Sequence, residues 1–179
     1  MNQDLDLETD CCRPIVGLTF RHEPRPSDAQ AVGELLEDTG VFTAEEVGVG
    51  VSLVRERLER GLESGYYFLF ADSNDGLVGF GCYGPIGCAP ARFDIYWIAV
   101  SPAFHGRGIG KELLRSCEAN IRRLNGVRAY VETSSRDEYI PARALYERSG
   151  YIVDALQKDF YATGDHKVTL VKVLSQPEI

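Results

Sequence analysis

Hydrophobic positions along this chain change period several times, from alternation to a three-to-four-residue repeat and back, and each change predicts an element. Leu18 to Arg21 reads as a first strand. Ser27-Asp28-Ala29-Gln30, behind Pro26, has the form of a capping box and predicts a helix to about Thr39. Thr43-Ala44-Glu45-Glu46 repeats that form ahead of a second helix, in which Val51, Val54 and Leu58 mark an apolar stripe and Gly61 a stop. Tyr66 to Asp72 and Leu77 to Gly84 are strand-like and flank Ser73-Asn74-Asp75-Gly76, which predicts a hairpin. Arg92 to Val100 is apolar on both alternating faces except at Asp94, the mark of a central strand covered on both sides. A long helix follows, with Ile109, Leu113, Cys117 and Ile121 four apart, joined by Leu114 and Leu124 and stopped at Asn125-Gly126. Val127 to Thr133 alternates as a strand, Pro141 opens a short helix closed by Gly150, and two strands, roughly Tyr151 to Phe160 and Lys167 to Leu174, finish the pattern. The aromatic run Tyr66, Tyr67, Phe68 and Phe70 reads as core.

With 179 residues and 44% hydrophobic positions, the chain suits one domain with a substantial core. Residues 18–175 are expected to form that domain, and residues 1–17 an N-terminal extension for which disorder stays open. No apolar run reaches the roughly 20 residues of a membrane span, and the polar start lacks a secretory signal, so a cytoplasmic protein is expected. Five cysteines (Cys11, Cys12, Cys82, Cys88, Cys117) without a C-x-x-C pair and three scattered histidines (His22, His105, His166) support neither a disulfide framework nor a metal site. A net charge of −8 argues against nucleic acid as a partner and suits a cationic one.

Three glycines, Gly106, Gly108 and Gly110, stand between the central strand and the long helix, although each costs a helix ~1 kcal/mol relative to alanine. The location explains them. The first amides of a helix lack partners, the dipole there is positive, and glycine keeps side chains away from an approaching anion. The register excludes a P-loop, because Glu112 follows Gly110-Lys111, and excludes a dinucleotide fingerprint, because Lys111 and Leu113 stand where its third glycine would fall.

Ile98-Ala99-Val100-Ser101-Pro102 followed by His105-Gly106-Arg107-Gly108-Ile109-Gly110 resembles motif A of the GNAT superfamily of N-acetyltransferases, with His105 where that family carries Gln or Arg. Ala142 to Tyr151, "ARALYERSGY", resembles its motif B, with Tyr139 in place of the usual Asn. The resemblance implies an α/β (α+β) domain: a mixed, mostly antiparallel sheet of six to seven strands flanked by about four helices. It implies acetyl-CoA as co-substrate. The pyrophosphate would rest on the amides of Arg107, Gly108, Gly110 and Lys111 within the loop from His105 and Gly106 through Ile109. The pantetheine arm would run along Ile98, Ala99 and Val100, with Tyr139 and Arg143 close to it.

Acetyl transfer to a lysine-like amine of pKa near 10.4 needs a base. The candidates are Glu132, preferred as lying at the strand end nearest the thioester, and Asp94. Backbone N–H of Ile98 or Val100 would serve the oxyanion, and Tyr146 would protonate the leaving thiolate. The expected function is N-acetylation of a primary amine, a small cationic molecule or a peptide or protein amine, by direct attack; the alternative is a non-catalytic acyl-CoA sensor. The resemblance implies that the acceptor enters over the first two helices and the last hairpin, roughly Ala29 to Leu62 and Asp159 to Lys167. Lys158 to Val168 is similar to the tail of enzymes acting on protein N-termini, and Glu34, Glu37, Asp38, Glu45 and Glu46 would attract a cation. Assembly as a homodimer stays open.

Overall fold

The computed structural model describes residues 12–174. Seven strands form one sheet in the order β1-β2-β3-β4-β5-β7-β6. They are β1 (Thr19–Arg21), β2 (Tyr67–Ser73), β3 (Gly76–Pro85), β4 (Arg92–Val100), β5 (Arg128–Ser134), β6 (Ile152–Ala162) and β7 (Asp165–Val173). Every neighbouring pair is antiparallel except β4 and β5. Four helices, α1 (Asp28–Asp38), α2 (Ala44–Arg60), α3 (Ile109–Arg123) and α4 (Ile140–Arg148), complete the described part of the domain, the mixed α/β architecture that the motif resemblance implies.

Alternation in the strands builds two cores. Phe68, Phe70, Phe80 and Cys82 face α1 and α2, where Val32, Leu36, Val47 and Val54 close over them. Leu69, Ala71, Ile95, Ala129 and Val131 face the opposite side and meet Ile109, Leu113, Cys117 and Ile121 of α3, with Tyr146 of α4. The four-residue stripe in α3 is buried as predicted. Before β1, Cys12 and Ile15 pack against this second core, and the Arg13 amide donates to Glu112. The first eleven residues of the proposed N-terminal extension lie outside the described residues.

Two local expectations need correction. The capping box at Thr43 forms, with the Thr43 and Glu46 side chains each accepting from the other's backbone amide. The one at Ser27 does not, because Ser27 is already helical at φ −72°, ψ −17° and its side chain makes no cap bond. The helix entry is held instead by Asp28, whose carboxylate takes the Arg25 amide and both terminal nitrogens of Arg21. In α2 the buried positions are Val47, Gly50, Val54 and Arg57. The stripe is rotated from the one expected, and Leu58 is exposed.

β4 departs from simple alternation in a way that shapes the site. Trp97 pairs with Cys82 and Ile95 with Tyr83, which leaves Tyr96 as an extra residue in a β-bulge. The bulge keeps Ile95, Ile98 and Val100 with the α3 core while Trp97 and Ala99 lean towards α1 and α2. It also tips Tyr96 outward, so this strand is not covered along its whole length.

Candidate active site

β4 pairs with β5 only through Arg92↔Arg128, Phe93↔Ala129 and Asp94↔Tyr130. Beyond Asp94 the partners diverge: β4 stays with β3 to Val100, and β5 stays with β7 to Ser134. A parallel pair opening in this way leaves a gap in mid-sheet, flanked by the strand end Ile98–Val100, the start of α3 and the start of α4.

At the α3 end of the gap the glycines adopt the backbone their loop requires. Gly106 and Gly108 have φ of +77° and +80°, and a Cβ built on either meets nothing within 4 Å. Gly108 is the N-cap of α3. The first helical hydrogen bond of the turn runs from Glu112 N to Gly108 O, so the amides of Ile109, Gly110 and Lys111 have no intrahelical acceptor. These residues, with Arg107 stacked over Phe104 at 4.7 Å, fit a pyrophosphate: open backbone donors, a positive helix end and nearby cations. A Cβ built on Gly110 would meet Leu145 and Val100 at ordinary contact distance. His105, a departure from the motif, has its Nε2 2.9 Å from the Val100 carbonyl, which ties the loop to the strand end.

On the α1/α2 face the bulged part of β4 and the end of β5 line a cavity of about 290 Å³ that contains both candidate bases. Asp94 lies at the point of divergence. Burial, and then the nearby Glu132 carboxylate, push its pKa from 3.8 up to about 6, with Lys167 pulling the other way. Glu132 is half-exposed and pairs with the largely buried Lys167 ammonium at 2.9 Å, which also stands 4.1 Å over the Phe160 ring. Val49 and Leu53 of α2 and the rings of Tyr66, Tyr96 and Trp97 complete the apolar lining. Burial, followed by the Asp94 charge, pushes the Tyr96 phenol up to about 12.

Tyr146 lies on the other face of the sheet, 6% exposed in the α3 core, with its ring edge-on to Tyr151. Burial raises its pKa, so the hydroxyl keeps its proton at neutral pH. Acid and base candidates thus stand on opposite faces of the sheet. The Arg143 guanidinium donates to the Ser134 and Arg136 carbonyls at 2.6 and 2.9 Å, fixing the turn between β5 and α4. Tyr139 packs against Phe42 and beneath Arg136, and Phe42 in turn meets Trp97 at 4.9 Å.

The sequence does not single out the rings of Phe42, Tyr66, Tyr96 and Trp97 or the Lys167 ammonium. Tyr66 reads as core in the pattern, and only the bulge at Tyr96 brings it to a cavity wall. Polar positions at Glu132 and Lys167 on facing strands are the one signal that could have joined them. Among the described residues no group of His, Cys, Asp and Glu is placed to hold a metal ion, and no helix is long and apolar enough to cross a membrane.

A model of the acetyltransferase (GNAT) family matches residues 30–151, and the chain belongs to that family. The N-alpha-acetyltransferase RimI of Mycobacterium tuberculosis is 32% identical over 96 residues, 53% of this chain and 58% of that protein, so the match spans little more than half of that relative. A GNAT-family protein of Desulfovibrio desulfuricans has a structure similar at a TM-score of 0.86, with 38% identity over 88% of this chain and 99% of its own. The yncA protein of Salmonella typhimurium, solved with its cofactor acetyl-CoA, gives a TM-score of 0.71 at 17% identity over 91% and 97% of the two chains, a likeness of fold alone.

Proposed function

We propose that the protein is an acetyl-CoA-dependent N-acetyltransferase that works by direct attack of a primary amine. The observation that carries this reading is the gap between β4 and β5, which has a helix start with open amides at one end and a carboxylate-lined cavity beside its apex. Acetyl-CoA supplies an activated acyl group as a thioester, with a thiolate as leaving group. The amides from Arg107 to Lys111 hold its pyrophosphate, and the main chain of Ile98 and Val100 aligns the pantetheine arm.

Asp94 is the preferred base, with Glu132 beside it. A carboxyl of pKa about 6 is ionised at neutral pH yet basic enough to take a proton, directly or through water, from an ammonium in the same cavity. Glu132 is committed to Lys167, which leaves Asp94 to hold the cation before it loses that proton. The N–H of Ile98 or Val100 donates to the oxygen on which charge develops. The Tyr146 hydroxyl gives a proton to the departing sulfur. The C–N bond forms, the C–S bond breaks, and the ammonium's two lost protons balance the one gained by the thiolate and one released to solvent.

Mass spectrometry of acetylated product, matched against free thiol released from acetyl-CoA, tests the reading. Equal amounts of both, dependent on amine, are expected; saturable acetyl-CoA binding without transfer to any amine would make the protein a sensor.

A further inference from the structure

We propose that the cavity beside Asp94 selects a primary monoamine carrying an aromatic or branched apolar body, held by one carboxylate charge at its ammonium and by aromatic walls around the remainder. This inference rests on the transferase reading and names its acceptor.

Charge sets the first limit. The cavity contains two carboxylates, Asp94 and Glu132, but the Lys167 ammonium is 2.9 Å from Glu132, so the site offers one uncompensated negative charge. Asp165, beyond the lining, already has a counter-ion: it accepts from Ser134 at 2.5 Å and pairs with Arg136 at 3.3 Å. A second ammonium on a polyamine or aminoglycoside would be desolvated with no partner.

The walls set the second limit. Val49, Leu53 and Trp97 present only hydrocarbon and ring surface, apart from the indole N–H, and Tyr66 and Tyr96 add two hydroxyls with rings 5.7 Å apart, edge to face. A peptide entering by its N-terminus brings amide groups every residue, for which this lining has few partners. An arylalkyl or branched alkyl chain needs none and gains by burial. At about 290 Å³ the cavity is at the small end of ligand sites, enough for one ring and a short chain. Transfer then proceeds with balanced atoms: the amine nitrogen bonds the acetyl carbon as the C–S bond breaks, and the nitrogen's protons leave by way of Asp94.

Trp97 is the single tryptophan of the chain and lines the cavity, so its fluorescence reports occupancy independently of turnover. The test titrates the intact protein with 2-phenylethylamine, isoamylamine, spermidine, kanamycin and an alanine-initiated hexapeptide, and measures kcat/KM for acetyl transfer to each. A saturable change in Trp97 emission with the first two is expected, together with kcat/KM at least ~10-fold above the others. Val49→Arg, at a side chain 48% exposed, puts a cation at the rim without disturbing the core; it should weaken both monoamines ~10-fold and leave acetyl-CoA affinity unchanged. A preference for spermidine, kanamycin or the peptide overturns the inference while leaving the transferase reading in place. Unchanged Trp97 emission with both monoamines overturns it as well. Saturable Trp97 quenching by the monoamines with no acetyl transfer to any amine supports the assignment of the pocket and defeats the transferase reading instead.

Discussion

Replacing Asp94 by Asn should make the protein more stable at alkaline pH and nearly inactive, a pairing expected of a strained functional carboxylate and not of a structural one. In the fold this carboxyl binds its proton more tightly than in the unfolded chain, its pKa rising from 3.8 to about 6 by burial and the Glu132 charge. The contribution to stability is therefore fully present below about pH 4 and is lost as pH climbs through about 6. At ~1.4 kcal/mol per tenfold change in proton affinity the full displacement corresponds to ~3 kcal/mol. Asp94 is only half-buried, and solvent screening reduces this to ~1–2 kcal/mol. The amide does not titrate, so urea unfolding of both proteins at pH 4 and pH 8 should show the Asp94→Asn variant gaining ~1–2 kcal/mol on the wild type between those values. Comparing the two pH values removes any fixed packing difference. The same variant should lose ~10²-fold to 10⁴-fold in kcat at pH 7 if the carboxylate is the base. A stability difference that does not change with pH, alongside unaltered turnover, would refute both the perturbed titration and the catalytic assignment.

The neighbouring charges should move the acid limb of kcat/KM, expected near pH 6, in opposite directions: Glu132→Gln downward, because a repelling carboxylate is removed, and Lys167→Met upward, because an attracting ammonium is removed. A limb fixed in both variants would place the titrating group elsewhere. Gly108→Asp should abolish acetyl-CoA binding in a calorimetric titration, since the carboxylate would oppose the pyrophosphate; a side chain at φ +80° is strained even with open space around it, so circular dichroism must first show the variant folded, and unchanged affinity in the folded variant would remove that loop from the cofactor site. Tyr146→Phe should lower kcat by ~10²-fold to 10⁴-fold at pH 7 with acetyl-CoA affinity preserved, and by less near pH 9, where the thiolate leaves without help. Wild-type turnover at both pH values would leave Tyr146 as a packing residue.

The architecture was legible wherever burial is one-sided. The α3 stripe, the hairpin at Ser73 to Gly76 and the two motif blocks all sit in elements that one face or one turn determines. What stayed hidden depends on contacts far apart in sequence or on equivalent-looking residues. Ser27 has the right neighbours for a capping box, but Asp28 is drawn to Arg21 on β1, a competition no local window contains. The bulge at Tyr96 lies in a run where both faces are apolar, so no polar residue marks the change of register. Asp94 and Glu132 were readable as acids in an apolar setting. That Lys167 would cover one and not the other follows from the pairing of β5 with β7, which joins segments distant in sequence, and this, with the burial that raises the Asp94 pKa, shifts the preferred base from Glu132 to Asp94.

A crystal structure with CoA bound tests the central assignment most directly, because it locates both ends of the ligand at once. The account predicts the pyrophosphate on the amides between Arg107 and Lys111, the pantetheine arm along Ile98 to Val100, and the sulfur in the gap between β4 and β5, within hydrogen-bonding reach of the Tyr146 hydroxyl and open to the cavity at Asp94. A sulfur directed to bulk solvent, or a pyrophosphate held away from the α3 start, would contradict it.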